Sequence, residues 1–377
     1  MKHTFPKIKQ DHRFDDVKAF LPHGDTIDTQ NEHSNLYWKN MRTFQKWILT
    51  VTALVLSLST NATASEFIYK PASRTTIAVD LQKVEGGHLE RFKKPFETQR
   101  LSKNVYWVSV ANYNMTVLVG EASVLLIDAP IHTGKRVLKA IEAITDKPLR
   151  AIVYSHAHAD HVGDSGVILK ELSDNNIDIY ATEEVRDALN SHGVTLPAPV
   201  TKIISDKLVF EGHTFNVYRN FDGHTSDNTG FLIKDDGRKI LHAVDLIHPD
   251  QLEFRSFANV EDAIAYKNDI DSLLSMDWDV MVTGHSNLGY KADVKFVQEY
   301  IRDIQNYIHQ GHAKADFSAH LKSDTPYAWY GGYSDEVIDL ATKLLSKKYR
   351  EGREEEFDIV GRSHVKVLFW AMFARAL

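Results

Sequence analysis

The stretch Ser155-His156-Ala157-His158-Ala159-Asp160-His161, SHAHADH, packs three histidines and an aspartate into six residues. It follows AIVYS (Ala151–Ser155), whose apolar run predicts a buried strand. Along an extended segment, side chains two apart point the same way. His156 and His158 therefore face one point, and the small alanines leave the approach open. Where the strand ends and the chain turns, Asp160 and His161 face a second point beside the first. Imidazole suits zinc, and a carboxylate tolerates it.

A metal centre needs further donors from distant segments. Three positions supply them, each at the end of a predicted strand: His224 in FDGHTSDN, Asp245 in LHAVDLI and His285 in VTGHSN. The chain has no cysteine, which excludes disulfides, thiolate ligands, a cysteine nucleophile and a lipid-modified N-terminal cysteine. It also has no Gly-x-Ser-x-Gly nucleophile motif.

Working outward, VYWVSV, MTVLVG and SVLLIDAP predict strands, and Lys135–Ile144 predicts a helix. Asp164–Leu172 and Glu183–Ser191 predict helices around a strand at Ile177–Thr182. A second strand-rich block holds KLVFEG, HTFNVYRNF, NTGFLIK and KILHAVD. It is followed by a helix at Val260–Met276 and a strand at Asp279–His285. The remainder predicts helices over Val294–Ile308, Glu336–Lys348 and Arg362–Ala376, with PYAWYGGY (Pro326–Tyr333) as a linker. Two strand-rich halves with flanking helices imply a layered α/β sandwich. The last helix is apolar on nearly every side (Val365, Val367, Leu368, Phe369, Trp370, Met372, Phe373), so burial all round is expected.

The chain has 377 residues, of which 43% are hydrophobic and 25% charged, with a formal net charge of -7. That balance argues for a globular protein and against a nucleic-acid partner, which calls for a basic face. Residues 41–64 carry a basic start (Arg42, Lys46), a short apolar run (Ile48–Ser59) and the small-x-small site Ala62-Thr63-Ala64. This is the pattern of a secretory signal peptide. Residues 1–40 are then expected to be an over-extended leader. The mature protein would be periplasmic or secreted, with no membrane anchor after cleavage. Residues 65–94 form an N-terminal extension, 95–290 the core domain and 291–377 a helical extension packed on it.

The order of SHAHADH, Gly-His, Asp and Gly-His resembles the metallo-β-lactamase superfamily over roughly Pro95–Asn287, with Asp128 in LLIDAP at its early structural aspartate. The resemblance implies a four-layer αββα sandwich with a metal site along one edge of the two sheets. It implies one metal on His156, His158 and His224, a second on Asp160, His161 and His285, and Asp245 bridging them. Two zinc ions are expected, with iron or manganese as alternatives. Paired dications lower the pKa of a shared water from about 15.7 to about 7, which yields a bridging hydroxide, and Asp160 would orient it or carry a proton. The flavodiiron members carry Glu in place of His158, and the β-lactamases with a cysteine ligand carry Cys in place of Asp245.

The expected reaction is hydrolysis of a small ester, lactone or lactam. The alternatives are a thioesterase, a phosphoester hydrolase or an iron-dependent persulfide dioxygenase. His248, three residues after Asp245, is expected to be a neutral imidazole donating to a carbonyl or leaving-group oxygen; a loop-capping role is the competing reading. Asn114 is either a substrate-facing or a turn residue. Tyr327, Trp329, Tyr330 and Tyr333 form a lid, a homodimer contact or packing for the tail.

Overall fold

The computed structural model describes residues 67–375, apart from 174–175, 192–196 and 220. The leader and signal-peptide readings of residues 1–64 lie outside the described residues. β1 (Ile68–Lys70) and β2 (Gln82–Val84) pair in parallel, and α1 (His88–Lys93) follows. A seven-stranded sheet comprises β3 (Glu97–Arg100), β4 (Val105–Val110), β5 (Tyr113–Val119), β6 (Val124–Ile127), β7 (Leu149–Val153), β8 (Asp178–Ala181) and β9 (Lys202–Ile203), in that order. A six-stranded sheet comprises β10 (Lys207–Phe210), β11 (His213–Tyr218), β12 (Gly230–Asp235), β13 (Arg238–His242), β14 (Val280–Val282) and β15 (Leu288–Gly289), also in sequence order. Each sheet starts antiparallel and then turns parallel, at β6–β7 in the first and at β13–β14 in the second.

The helices are α2 (Gly134–Ile144), α3 (Ala159–Val162), α4 (Ser165–Leu172), α5 (Glu183–Ser191), α6 (Ala263–Ser275), α7 (Lys291–His312), α8 (Pro326–Tyr349) and α9 (Glu354–Arg375). Three apolar layers separate the elements. Alternation along the strands sends Trp107, Leu125 and Val153 inward against Phe215, Phe231, Ile240 and Val280. The other face of the first sheet (Val108, Leu126, Ile152) packs on Val137, Ile141, Ile168 and Val185 of its helices. The outer face of the second sheet (Leu232, Leu241, Met281) packs on Ile270, Ile301, Val337 and Phe369. The architecture is the four-layer αββα sandwich. Its last layer is built largely from the C-terminal helices, so these supply the cover the second sheet requires.

The described residues belong to one compact unit, Ala64–Leu377. The segment 67–94 is stapled to the loop after His285. Val84 and Asn287 exchange two hydrogen bonds of 2.9 Å, and Arg91 Nη1 donates to Ser286 O at 2.8 Å. Lys83, almost fully buried, is neutralised by Asp250 and Asp293.

Two expectations for the tail are corrected. PYAWYGGY is the first two turns of α8, because Pro326 sits in the helix's first turn, where its missing N–H costs nothing. α9 begins at Glu354, eight residues before the expected Arg362, and is not buried all round. Val365, Leu368, Phe369 and Met372 are buried, whereas Trp370 is 43% and Phe373 65% exposed. A helix lying on one side of a core can cover only one stripe. Phe369→Ala should therefore cost about 3–5 kcal/mol in a denaturant titration. Phe373→Ala should stay within about 0.5 kcal/mol of the parent. No helix among the described residues is long and apolar enough to cross a membrane.

Candidate metal centre

Strand ends deliver the donors. Asp128 follows β6, the histidine cluster follows β7, Asp245 follows β13 and His285 follows β14. The cluster is extended through His158 and then turns into α3, with His158 in β conformation at the helix N-cap. This is the turn that sends Asp160 and His161 to a second point. Two donor sets result: His156, His158, His224 and Asp245, and Asp160, His161, His285 and Asp245. Within each, the donor atoms lie within 4.8 Å of one another.

Asp245 stands in both sets. Its Oδ2 lies 3.2 Å from His161 Nε2 and from His224 Nε2, and 3.8 Å from His156 Nε2. Its Oδ1 lies 3.3 Å from His285 Nε2. The residue adopts a left-handed backbone (φ 58°), which aspartate tolerates better than most side chains. His156 Nε2, His161 Nε2 and Asp245 Oδ1 are buried without a hydrogen-bond partner. Unpaired nitrogens and a carboxylate oxygen converging on one point fit divalent cations, because native proteins rarely leave such atoms unsatisfied.

Both Gly-His pairs have a steric reason. A Cβ on Gly284 would lie 2.4 Å from Asp245 Oδ1 and 2.6 Å from His161 Cε1. A Cβ on Gly223 would lie 2.1 Å from the backbone of Tyr266. Gly284→Ala should therefore weaken zinc binding roughly 10- to 100-fold, measured by competition with a chromophoric chelator. Unchanged affinity would show that the Asp245 carboxylate has room to move.

Asp128 organises the layer behind the donors. It accepts from Ser155 N at 2.9 Å, Ser155 Oγ at 2.8 Å, His161 Nδ1 at 3.3 Å and His242 Nε2 at 3.2 Å. Thr116 Oγ1 holds the other nitrogen of His242 at 2.9 Å. Burial opposes the charge on Asp128, but the hydrogen bonds from His161 and His242 outweigh it and hold the carboxyl at about 2. Such outer contacts fix ring orientation in metal sites.

Without a cation, the charges balance through protons. Burial disfavours charge on Asp245, yet His161 and His285 hold its carboxyl well below the usual range. Burial likewise opposes protonation of His285, but Asp245 and Asp160 raise it to about 9. His161 is raised well above its ordinary value against the same burial, chiefly by Asp245 and Asp128. Burial and the neighbouring rings push His156 well down, and His158 is lowered too.

Residues 109–285 match the family model described as the metallo-beta-lactamase superfamily. The domain belongs to that superfamily. The matched region carries that superfamily's fold, and its His/Asp cluster fits a metal-dependent hydrolase. A curated linear primary-alkylsulfatase from a Pseudomonas species is 28% identical over 102 residues, 26% of this chain. The match spans only 18% of that relative's length. Among solved structures, a metallo-beta-lactamase from Pontibacter korlensis has 17% identity and a TM-score of 0.45, covering 54% of this chain and 97% of that one. The subclass B3 metallo-beta-lactamase BJP-1 of Bradyrhizobium japonicum has 18% identity and a TM-score of 0.42, covering 72% of this chain and 99% of that one.

All seven sequence-assigned ligands converge. His248 is nearly buried and its ring stacks on His285, with centroids 5.4 Å apart and planes at 19°. It does not have the expected form. Its Nδ1 bonds the buried carboxylate of Glu253, which places the proton of a neutral ring on Nδ1 and a lone pair on Nε2. Neutral His248 thus accepts at Nε2; it donates there only as the imidazolium. Asn114 is fully buried in β5, where it bonds Gly284 O (2.9 Å) and Ser286 O (3.1 Å), so it is a staple and faces no substrate. Tyr327 and Tyr330 are exposed, and Tyr333 packs on His312 and Phe317. Sequence reading missed Glu253 and His242. The signal for His242 was a polar residue within the apolar KILHAV run; Glu253, in a loop, gave none.

Proposed function

We propose that the mature chain is a dinuclear zinc hydrolase acting on a small, uncharged ester, lactone or lactam outside the cytoplasm. The observation that carries the two-metal reading is the position of Asp245 in both donor sets. His156, His158 and His224 would hold one ion, and Asp160, His161 and His285 the other. Bound there, the ions would supply an acidified water and Lewis-acid polarisation of the scissile carbonyl. The protein's own part is to fix these donors and to place proton-carrying groups beside them. Asp160, whose side chain is 40% exposed, lies 3.6 Å from His285 Nε2. Burial opposes its charge, but the His285 hydrogen bond keeps it ionised. Its free oxygen can take a proton at the mouth of the site and release it to a leaving group.

The substrate class rests on charge. A groove of about 430 Å³ opens on His158 and is lined by Glu184, Asp187, Asp227 and Glu261, with no lysine or arginine among the described residues of its wall. Arg219 and Arg186 neutralise Glu184 and Asp187, so Asp227 and Glu261 carry the net negative charge of the lining. Acidic walls repel a carboxylate-anchored β-lactam or a phosphodiester. A second reading, sulfate-ester hydrolysis, is favoured by the alkylsulfatase match, and the same walls weigh against it. The export reading rests on the sequence of residues 41–64.

The test is a substrate panel on the zinc-loaded chain beginning at Ser65: an acyl-homoserine lactone, p-nitrophenyl acetate, a penicillin, a thioester, a phosphodiester and dodecyl sulfate. Turnover of the lactone or ester at least about 100-fold above the penicillin and the sulfate is expected, a gap of about 2.7 kcal/mol in transition-state binding. Preference for dodecyl sulfate would overturn the charge argument and leave the hydrolase assignment standing.

A further inference from the structure

The loop between Asp245 and α6 carries a group that the seven ligands do not need. Glu253 is 2% exposed, and both of its oxygens go to one residue: Oε1 accepts from His248 N at 3.0 Å, and Oε2 bonds His248 Nδ1. Two contacts from one carboxylate fix both the place and the rotation of the ring. That ring lies flat against His285, whose Nδ1 is held by Asn112 O at 3.2 Å and whose Nε2 faces Asp245. A buried carboxylate devoted to a ring beside a metal ligand has no packing rationale, because an apolar side chain would fill the same space without the desolvation cost.

The backbone around it is strained, and α9 holds the strain. Ser256, Phe257, Ala258 and Asn259 all have φ between 54° and 61°. Left-handed conformation is unfavourable for non-glycine residues, and it persists only where the surroundings dictate it. Ser363 Oγ accepts from Ser256 N at 3.0 Å, His364 Nε2 bonds Phe254 O at 2.8 Å, and Glu356 accepts from Leu252 N. Phe257, fully buried, stacks on the His364 ring at 4.4 Å. Three contacts from one helix therefore bracket Glu253 at residues 252, 254 and 256.

We propose that Glu253 is a positioning residue that locks His248 with its Nε2 lone pair available beside the metal centre, and that α9 holds the strained loop in the form this requires. The inference rests on the hydrolase reading for the use made of Nε2; the clamp itself is independent of substrate.

Glu253→Gln tests it, because the side chains match in shape. The amide can still accept from His248 N, but its NH₂ cannot accept the Nδ1 proton. The neutral ring must then move its proton to Nε2 and accept at Nδ1. Long-range ¹H–¹⁵N spectra at alkaline pH, with the His248 signals assigned by their loss in His248→Ala, should show an Nδ1–H ring in the parent and an Nε2–H ring in Glu253→Gln. With p-nitrophenyl acetate as the probe, kcat should fall about 10- to 1000-fold, KM should stay within about 2-fold as expected when only the chemical step is affected, and zinc content should be unchanged. Glu253→Gln in a His248→Ala background should cost nothing further. An unchanged tautomer, loss of zinc in step with activity, or additive effects of the two substitutions would overturn the proposal. If the parent cleaves no ester, the hydrolase reading fails while the tautomer result still decides the clamp.

Discussion

Asp245→Ala should strip the protein of both metals and bring hydrolysis to background. Its carboxylate is the one group within 4.8 Å of the other donors in both sets, so the first set loses its single carboxylate and the second loses one of two. What remains near the first point is three imidazoles, and near the second two imidazoles and Asp160. Three neutral imidazoles leave the charge of a dication unmatched at the first point, and a single carboxylate leaves it half matched at the second, so affinity falls at both. The loss of turnover should exceed the roughly 100- to 1000-fold seen when a single transition-state donor is removed. Asp245→Asn separates charge from shape: it keeps an oxygen in place but no negative charge, and it should retain at most a small part of the metal. The check is metal content and turnover measured on the same preparations. His156→Ala, by contrast, removes a donor from one set and should empty that set first.

Zinc binding at pH 7.5 should release about two protons from the chain's own side chains, one each from His161 and His285, which are held protonated by Asp245 in the metal-free state, beside the proton an acidified water would lose. The same protons set the stability of the metal-free protein. His285 has its folded value raised to about 9 from an ordinary 6.5, so its contribution is complete below about pH 6.5 and is lost as pH rises through about 9. His161 is raised further and acts in the same direction. Chelated protein should thus lose stability on the alkaline side, by roughly 3 kcal/mol for His285 alone on the scale of 1.36 kcal/mol per pKa unit. The zinc-loaded protein should behave oppositely and weaken toward acid, where protons compete for the ligands. Calorimetric titration of zinc into chelated protein, in buffers of different ionisation enthalpy, measures the protons released. Thermal melts of both forms from pH 6 to 9.5 measure the rest. A metal-free protein whose melting temperature does not change over that range would show that Asp245 is not charge-balanced by these two rings.

The ligands were legible because their chemistry is local. Spacing within SHAHADH follows the two-residue period of a strand and the turn of α3, and His224, Asp245 and His285 each follow a strand, a position visible as an apolar run that stops. The sandwich was legible for the same reason, since β6 and the Ala151–Val153 stretch of β7 are buried on both faces and read as continuous apolar runs. What escaped depends on contacts between distant segments. Nothing near Glu253 reveals that Ser363 and His364 will bracket it from more than a hundred residues away. His248 Nδ1 is taken up by that partner, a contact the sequence around His248 does not show. α9 misled differently: its composition is apolar nearly all round, but only the stripe through Leu368 and Met372 meets the core.

A two-metal centre bridged by Asp245 stands or falls by its metal count. Its most direct test is elemental analysis of the chain beginning at Ser65, loaded with zinc and dialysed, beside the Asp245→Ala and His156→Ala variants. The expected result is two zinc ions per chain in the parent, about one in His156→Ala and close to none in Asp245→Ala. A parent that retains a single iron and refuses a second ion, or an Asp245→Ala chain that still holds two zincs, would contradict it.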